Sequence, residues 1–163
     1  METKRIALFP GSFDPFTVGH ESVVRRAMPL FDKIIIAIGF NINKSGFFAL
    51  DKRIDWIKKV FEEEDKIEVT SYSKLTIDFC NDVKARYILR GLRTSADFEY
   101  ERAIGQTNRL LESGVETVFM LTEAHHTFIN STTVRDIIRF GGDASAFLPS
   151  KIVIDKSDLE LNS

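Results

Sequence analysis

Residues Gly11 to His20 read Gly-Ser-Phe-Asp-Pro-Phe-Thr-Val-Gly-His and follow directly on the apolar run Ile6-Ala7-Leu8-Phe9. This order predicts a strand, a turn built from Pro10, Gly11 and Pro15, and a helix beginning at the Gly19-His20 step. Backbone N–H groups, the Ser12 hydroxyl and the His20 imidazole then collect at a strand's carboxyl end. Open parallel sheets bind ligands at such ends, and a helix amino terminus attracts phosphate through its free N–H groups and dipole. Gly19 lets the backbone approach a phosphate with no Cβ in the way. His20 is placed to donate to a phosphate oxygen as charge grows there. A lone histidine at a helix start is more often a cap or a surface residue. The surrounding Gly-Ser-Phe-Asp-Pro tips the reading towards phosphate chemistry.

Three further segments fit the same chemistry. Arg90-Gly91-Leu92-Arg93 comes straight after the strand-like Tyr87-Ile88-Leu89, where two arginines can clamp phosphate oxygens bidentately. Asp97, Glu99 and Glu101 open the next helix, and Asp97 is expected to fix one of the arginines. Lys44 ends the loop Asn41-Ile42-Asn43-Lys44 after the second strand, at the same sheet edge, where a mobile ammonium can reach a substrate phosphate. His126-Thr127-Phe128-Ile129-Asn130-Ser131-Thr132-Thr133-Val134-Arg135 brings hydroxyls and N–H groups to a new helix start.

Other chemistries lose their support. Neither Gly-x-x-x-x-Gly-Lys-Ser/Thr nor Gly-x-Gly-x-x-Gly occurs, which argues against a P-loop kinase and a dinucleotide dehydrogenase. His125-His126 invites a metal, but adjacent side chains usually diverge and no third ligand has convincing spacing, so no protein-held metal is expected. Ser12 has no evident triad partners. Cys80 sits in an apolar helical run and reads as packing.

The elements that must position these groups are visible in the hydrophobic pattern. Arg5–Phe9, Lys33–Phe40, Ile67–Tyr72, Tyr87–Leu89 and Thr117–Leu121 read as strands buried on both faces. Helical stripes lie between them: Val23, Val24, Ala27 and Phe31; Ile54, Ile57 and Phe61; Leu75 to Lys84; Tyr100, Ile104, Thr107 and Leu111; Val134, Ile137 and Ile138. Asn130 or Ser131 caps the last of these. Alternation of this kind predicts an α/β domain, doubly wound, with a mainly parallel five-stranded sheet and helices on both faces. Glu62 to Asp65 reads as a solvated helix end, Gly141-Gly142-Asp143 as a helix stop, and the polar tail from about residue 155 as frayed.

At 163 residues the chain suits one domain, spanning 1–163. A formal charge of -2 gives no general reason to bind nucleic acid or an anionic membrane. The single cysteine, the lack of a signal-peptide core and the lack of a ~20-residue apolar span predict a cytoplasmic protein.

Together the four segments resemble the phosphopantetheine adenylyltransferases, bacterial coenzyme A enzymes of the nucleotidylyltransferase superfamily. The likeness runs from Lys4 to about Ile154. Thr17-Val18-Gly19-His20 alone is shared with cytidylyltransferases and class I aminoacyl-tRNA synthetases. Arg90-Gly91-Leu92-Arg93 followed by Asp97-Phe98-Glu99-Tyr100-Glu101 is more specific, and Gly142-Asp143 with Phe147-Leu148-Pro149 adds to it. The resemblance implies a Rossmann-like fold and reversible transfer of AMP from ATP to 4'-phosphopantetheine, giving dephospho-coenzyme A and pyrophosphate. It implies catalytic roles for His20, Lys44 and Arg93. It puts ATP against Ser12, Phe13, His20, Gly91, Leu92, Arg93, Glu101 and His126, Thr127, Phe128, Ile129, Asn130, Ser131 and Thr132. It puts the acceptor against Ser12, Lys44, Thr76 and Arg90. It also implies Mg²⁺ arriving with ATP and a homohexamer, with the helix carrying Tyr100 to Leu111 as a candidate subunit contact. Ser12 stands where the family usually has Thr, no proline precedes Lys44, and Asn130 replaces a usual serine. Competing readings are a nucleotidylyltransferase for glycerol 3-phosphate or nicotinamide mononucleotide, and a non-catalytic nucleotide sensor.

Overall fold

Short runs of Ile, Val, Leu and Phe fold into five parallel strands in the computed structural model, which describes residues 3–160. The elements run β1 (Ile6–Gly11), α1 (Val18–Ala27), β2 (Lys33–Gly39), α2 (Leu50–Val60), β3 (Ile67–Tyr72), α3 (Thr76–Asp82), β4 (Tyr87–Leu92), α4 (Ser95–Leu111), β5 (Glu116–Leu121), α5 (Ser131–Arg139) and α6 (Ser157–Glu160). The spatial order is β3-β2-β1-β4-β5. The chain winds outward through β2 and β3, then crosses to the other side of β1. That reversal leaves a crevice at the carboxyl ends of β1 and β4, where open α/β sheets bind ligands.

Burial on both faces follows from strand alternation. On β2, Ile34, Ile36 and Ile38 join Val23, Val24, Trp56, Ile57 and Val134 from α1, α2 and α5. Ile35 and Ala37 join Ile77 and Cys80 of α3 on the opposite face. Cys80 is buried there, and burial pushes its thiol up to about 11, as the packing role expected of it requires. The edge strands β3 and β5 are only half-buried.

Several boundaries differ from expectation. β4 continues through Arg90-Gly91-Leu92, because these residues pair in register with Phe119, Met120 and Leu121 of β5. The arginine segment therefore begins inside the strand. Helix α1 starts at Val18, since Thr17 caps it and pairs reciprocally with His20. Asn130, not Ser131, caps α5, accepting from Thr133 N–H at 2.8 Å. That helix stops as expected: Gly141 takes a positive φ of 75°, and Gly142 and Gly141 N–H groups donate to Ile137 and Ile138. Within the polar tail Ser157–Glu160 forms α6, and Asp158 is buried and salt-bridged to Lys52 at 2.8 Å. Residues 161–163 lie outside the described residues.

Candidate active site

The turn after β1 is shaped around the His20 ring. Phe13 adopts a positive φ of 44° and is buried. Its ring centroid lies 5.0 Å from that of His20, with Phe16 at 5.2 Å and Phe9 at 6.3 Å. Burial, and then the positive charges of Arg90 and Arg93, push the His20 pKa down to about 3. The imidazole is therefore neutral at physiological pH. Thr17 N–H donates to Nδ1 at 3.0 Å, so Nδ1 is the acceptor and the neutral ring carries its proton on Nε2. A single, oriented N–H donor is the result.

Arg90 is held by three hydrogen bonds. Its Nε and Nη2 donate to the two Glu101 oxygens at 2.8 and 2.5 Å, and Nη1 donates to the Pro10 carbonyl at 2.6 Å. Arg93 donates through Nε and Nη2 to Asp97 at 3.0 and 3.3 Å, and through Nη1 to the Ile129 carbonyl at 3.4 Å. Asp97 thus fixes an arginine as expected. Partial burial raises its pKa, but the hydrogen bonds from Arg93 outweigh this and hold it below the usual carboxylate range. Gly91 turns the other way along β4, where a Cβ would lie 3.1 Å from the Val23 side chain, so its absence lets α1 sit close.

Two cavities open at this crevice. One, of about 290 Å³, is lined by His20 and Arg93. The other, of about 300 Å³, is lined by Thr76 and Tyr72. Pro10, Gly11, Ser12, Arg90 and Glu101 line both, so the two meet at the end of β1. Both volumes fall at the small end of the range for ligand sites.

Residues 8–137 match the Cytidylyltransferase-like family. A phosphopantetheine adenylyltransferase of Cytophaga hutchinsonii is 51% identical over 148 residues, covering 91% of this chain and 99% of that protein. One from Flavobacterium psychrophilum is 53% identical over 148 residues, covering 91% and 97%. The chain belongs to the phosphopantetheine adenylyltransferase family. Its fold is also that of a bifunctional NMN adenylyltransferase/ADP ribose pyrophosphatase of Francisella tularensis, with a TM-score of 0.69 at 17% identity. That match covers 92% of this chain and 46% of the larger protein.

Of the residues expected at ATP in this adenylyltransferase, Ser12, Phe13, His20, Gly91, Arg93, Glu101, His126, Ile129, Asn130 and Ser131 line the first cavity. Leu92, Thr127, Phe128 and Thr132 do not. Leu92 is buried and Phe128 projects into solvent, while Thr132 accepts from Arg135 at 3.1 Å. Of the acceptor-side residues, Ser12, Thr76 and Arg90 line the second cavity. Lys44 lines neither and stands exposed on the β2–α2 loop.

Four further groups carry no local sequence signal. Asp14 accepts from Phe47 and Phe48 N–H at 2.7 and 2.9 Å and so pins the base of the Lys44 loop. Arg53 donates to the Ser12 carbonyl at 2.7 Å. Tyr72 hydrogen-bonds Thr76 at 2.9 Å in the second cavity. Glu123 is the fourth. The expectation that His125 and His126 diverge is corrected: their ring centroids are 4.0 Å apart, because they share a tight 3-10 turn, and Glu123 reaches both.

Proposed function

We propose that this chain transfers the adenylyl group of ATP reversibly to the phosphate of 4'-phosphopantetheine, giving dephospho-coenzyme A and pyrophosphate. The observation that carries the reading is the meeting of two cavities at Ser12 and Arg90, with the neutral His20 donor lining one of them. ATP occupies the His20 cavity and the acceptor phosphate enters from the Thr76 side. An acceptor phosphate oxygen attacks the α-phosphorus, a new P–O bond forms, and the bond to the β-phosphate oxygen breaks. No base is needed, because a phosphate monoester is already ionised near neutral pH (second pKa ~6). What the site must supply is in-line positioning and charge stabilisation.

The residues divide accordingly. His20 Nε2–H donates to the α-phosphate oxygen as its charge rises. Arg90 keeps two of its five N–H donors free of the bonds to Glu101 and Pro10, and these serve the acceptor phosphate. Arg93 and the segment His126 to Thr132 hold the nucleotide. Lys44 comes to the acceptor phosphate by movement of its loop. Mg²⁺ enters as the counter-ion of ATP: the cavity carboxylates Asp97 and Glu101 are both committed to arginines, which fits a metal carried by substrate phosphates.

The assembly is a homohexamer in this proposal, and the exposed Tyr100, Leu110 and Leu111 on α4 support a subunit contact there. Among the described residues no helix is long and apolar enough to cross a membrane, and we place the enzyme in the cytoplasm as one domain. The test is pyrophosphate release from ATP and Mg²⁺ with a panel of acceptors. Turnover with 4'-phosphopantetheine is expected. Turnover only with nicotinamide mononucleotide or glycerol 3-phosphate, or ATP binding with no turnover, would overturn the reading.

A further inference from the structure

We propose that Glu123, His125 and His126 bind one divalent transition-metal ion of the zinc class at the rim of the nucleotide cavity. Glu123 Oε2 lies 3.3 Å from His125 Nε2 and 3.8 Å from His126 Nδ1. The three ligand atoms all fall within 4.8 Å of one another. A tetrahedral ion with ligands at ~2.0–2.1 Å sets them ~3.3–3.4 Å apart. Two edges of the triangle are near that length already. The third closes by rotation of His125, which is 70% exposed and free to turn.

His126 points to the same conclusion independently. Its Nδ1 is buried from solvent and has no hydrogen-bond partner. A buried imidazole nitrogen without a partner is costly, and a metal ion in the Glu123 direction satisfies it. Two imidazoles and one carboxylate suit zinc, cobalt, nickel or copper, whereas magnesium prefers an all-oxygen octahedron. Three protein ligands leave a fourth position for water.

The site has a consequence for the nucleotide cavity. His126 lines that cavity, and its carbonyl accepts from Ile129 N–H at 3.0 Å, next to Asn130 and Ser131 on the cavity wall. An ion bound there fixes the turn from which this wall hangs. Metal and nucleotide affinities are therefore coupled, and the coupling is reciprocal. The coupling rests on the nucleotide reading, but the metal site does not.

Co²⁺ serves as the probe, followed by its visible ligand-field absorption, in untagged full-length protein without nucleotide. Saturation at one equivalent is expected. His125→Ala and Glu123→Gln should each weaken Co²⁺ binding by more than the roughly ten- to hundredfold that loss of an outer-shell partner costs. The thermal midpoint of His125→Ala without metal should match the wild type, since the side chain is exposed, which separates metal loss from unfolding. Absence of saturable binding, or equal affinity in wild type and His125→Ala, would overturn the proposal.

Discussion

Replacing Glu101 by glutamine tests whether this carboxylate acts through Arg90 or directly on the nucleotide. The Glu101 side chain is 10% exposed and the Arg90 side chain 30%. Glutamine keeps the shape but removes the charge, and it turns one of the two acceptors into an amide donor facing Arg90 N–H. One charge-assisted bond is lost and the other weakened, each worth ~1.5–3 kcal/mol when intact. Breaking a fully buried pair costs ~3–5 kcal/mol, but water reaches the arginine here and offsets part of it. A net loss of about 2 kcal/mol remains, equivalent to a fall in Tm of about 4–8 °C for a chain of this size. Arg90 is left with Pro10 as its one strong partner and swings away from the cavity junction. The KM for 4'-phosphopantetheine should rise about tenfold, equivalent to ~1.4 kcal/mol, while the KM for ATP changes little. Steady-state kinetics with each substrate varied in turn, together with thermal unfolding, measures both. An unchanged Tm with a rise confined to the KM for ATP would refute the positioning role and make Glu101 a direct nucleotide ligand.

Other expectations follow from the same geometry. His20→Ala should lower kcat by about a hundred- to a thousandfold, as for loss of an oxyanion donor (~3 kcal/mol), with ATP still binding by calorimetry; wild-type turnover would remove His20 from the chemistry. Nitrogen NMR of the wild type should find the His20 proton on Nε2 across pH 5 to 8, and an Nδ1–H tautomer would contradict the Thr17 hydrogen bond. Because the folded His20 pKa, about 3, lies below the unfolded value of 6.5, the unfolded chain takes up the extra proton between them. The stability from holding His20 neutral is complete above about pH 6.5 and falls as pH drops towards 3, by at most ~1.4 kcal/mol per pH unit. Urea unfolding at pH 7 and pH 5 should therefore show a wild-type loss about 2 kcal/mol larger than that of His20→Ala. Gly11→Ala should cost ~1–3 kcal/mol of stability and lower kcat about ten- to a hundredfold, because the new Cβ would lie 2.8 Å from the Phe13 ring that seats His20; normal kcat would show that the ring has room to move.

Much of this site was legible because its chemistry is local in the chain. Thr17 and His20 form one cap, and Arg93 and Asp97 are four residues apart. The strand β3 fell at its expected limits because Ile67 to Tyr72 is bounded by turn-forming residues on both sides. The departures share a cause in partners distant along the chain. Arg90-Gly91-Leu92 became strand because β5 lies beside it, 29 residues on in register. Asp14 was visible as part of a turn, but its task is set by Phe47 and Phe48, 33 and 34 residues away. Lys44 follows β2, but its side chain belongs to a loop whose position no local spacing specifies. Glu123 escaped because a carboxylate two residues from a histidine points to it only when the backbone tightens into a turn.

In the proposed reaction a neutral histidine complements two arginines whose charges are already paired. Arg90 and Arg93 reach the cavities already tied to Glu101 and Asp97, so no unpaired positive charge accumulates there before the phosphates of the proposed substrates arrive. Their attraction acts on the ground state as well as the transition state, and uniform binding of that kind holds substrates without lowering the chemical barrier. His20 differs. Its ring is pressed among Phe9, Phe13 and Phe16, beside two guanidinium groups, so that protonation is suppressed and one Nε2–H remains. A neutral donor gains little from a resting phosphodiester-like oxygen and more as negative charge concentrates there. In the proposed reaction the arginines therefore assemble two anions, while His20 distinguishes the transition state from the complex that precedes it. An enzyme with His20 intact but Arg90 replaced by alanine should accordingly lose acceptor KM before kcat, the reverse of what His20→Ala does.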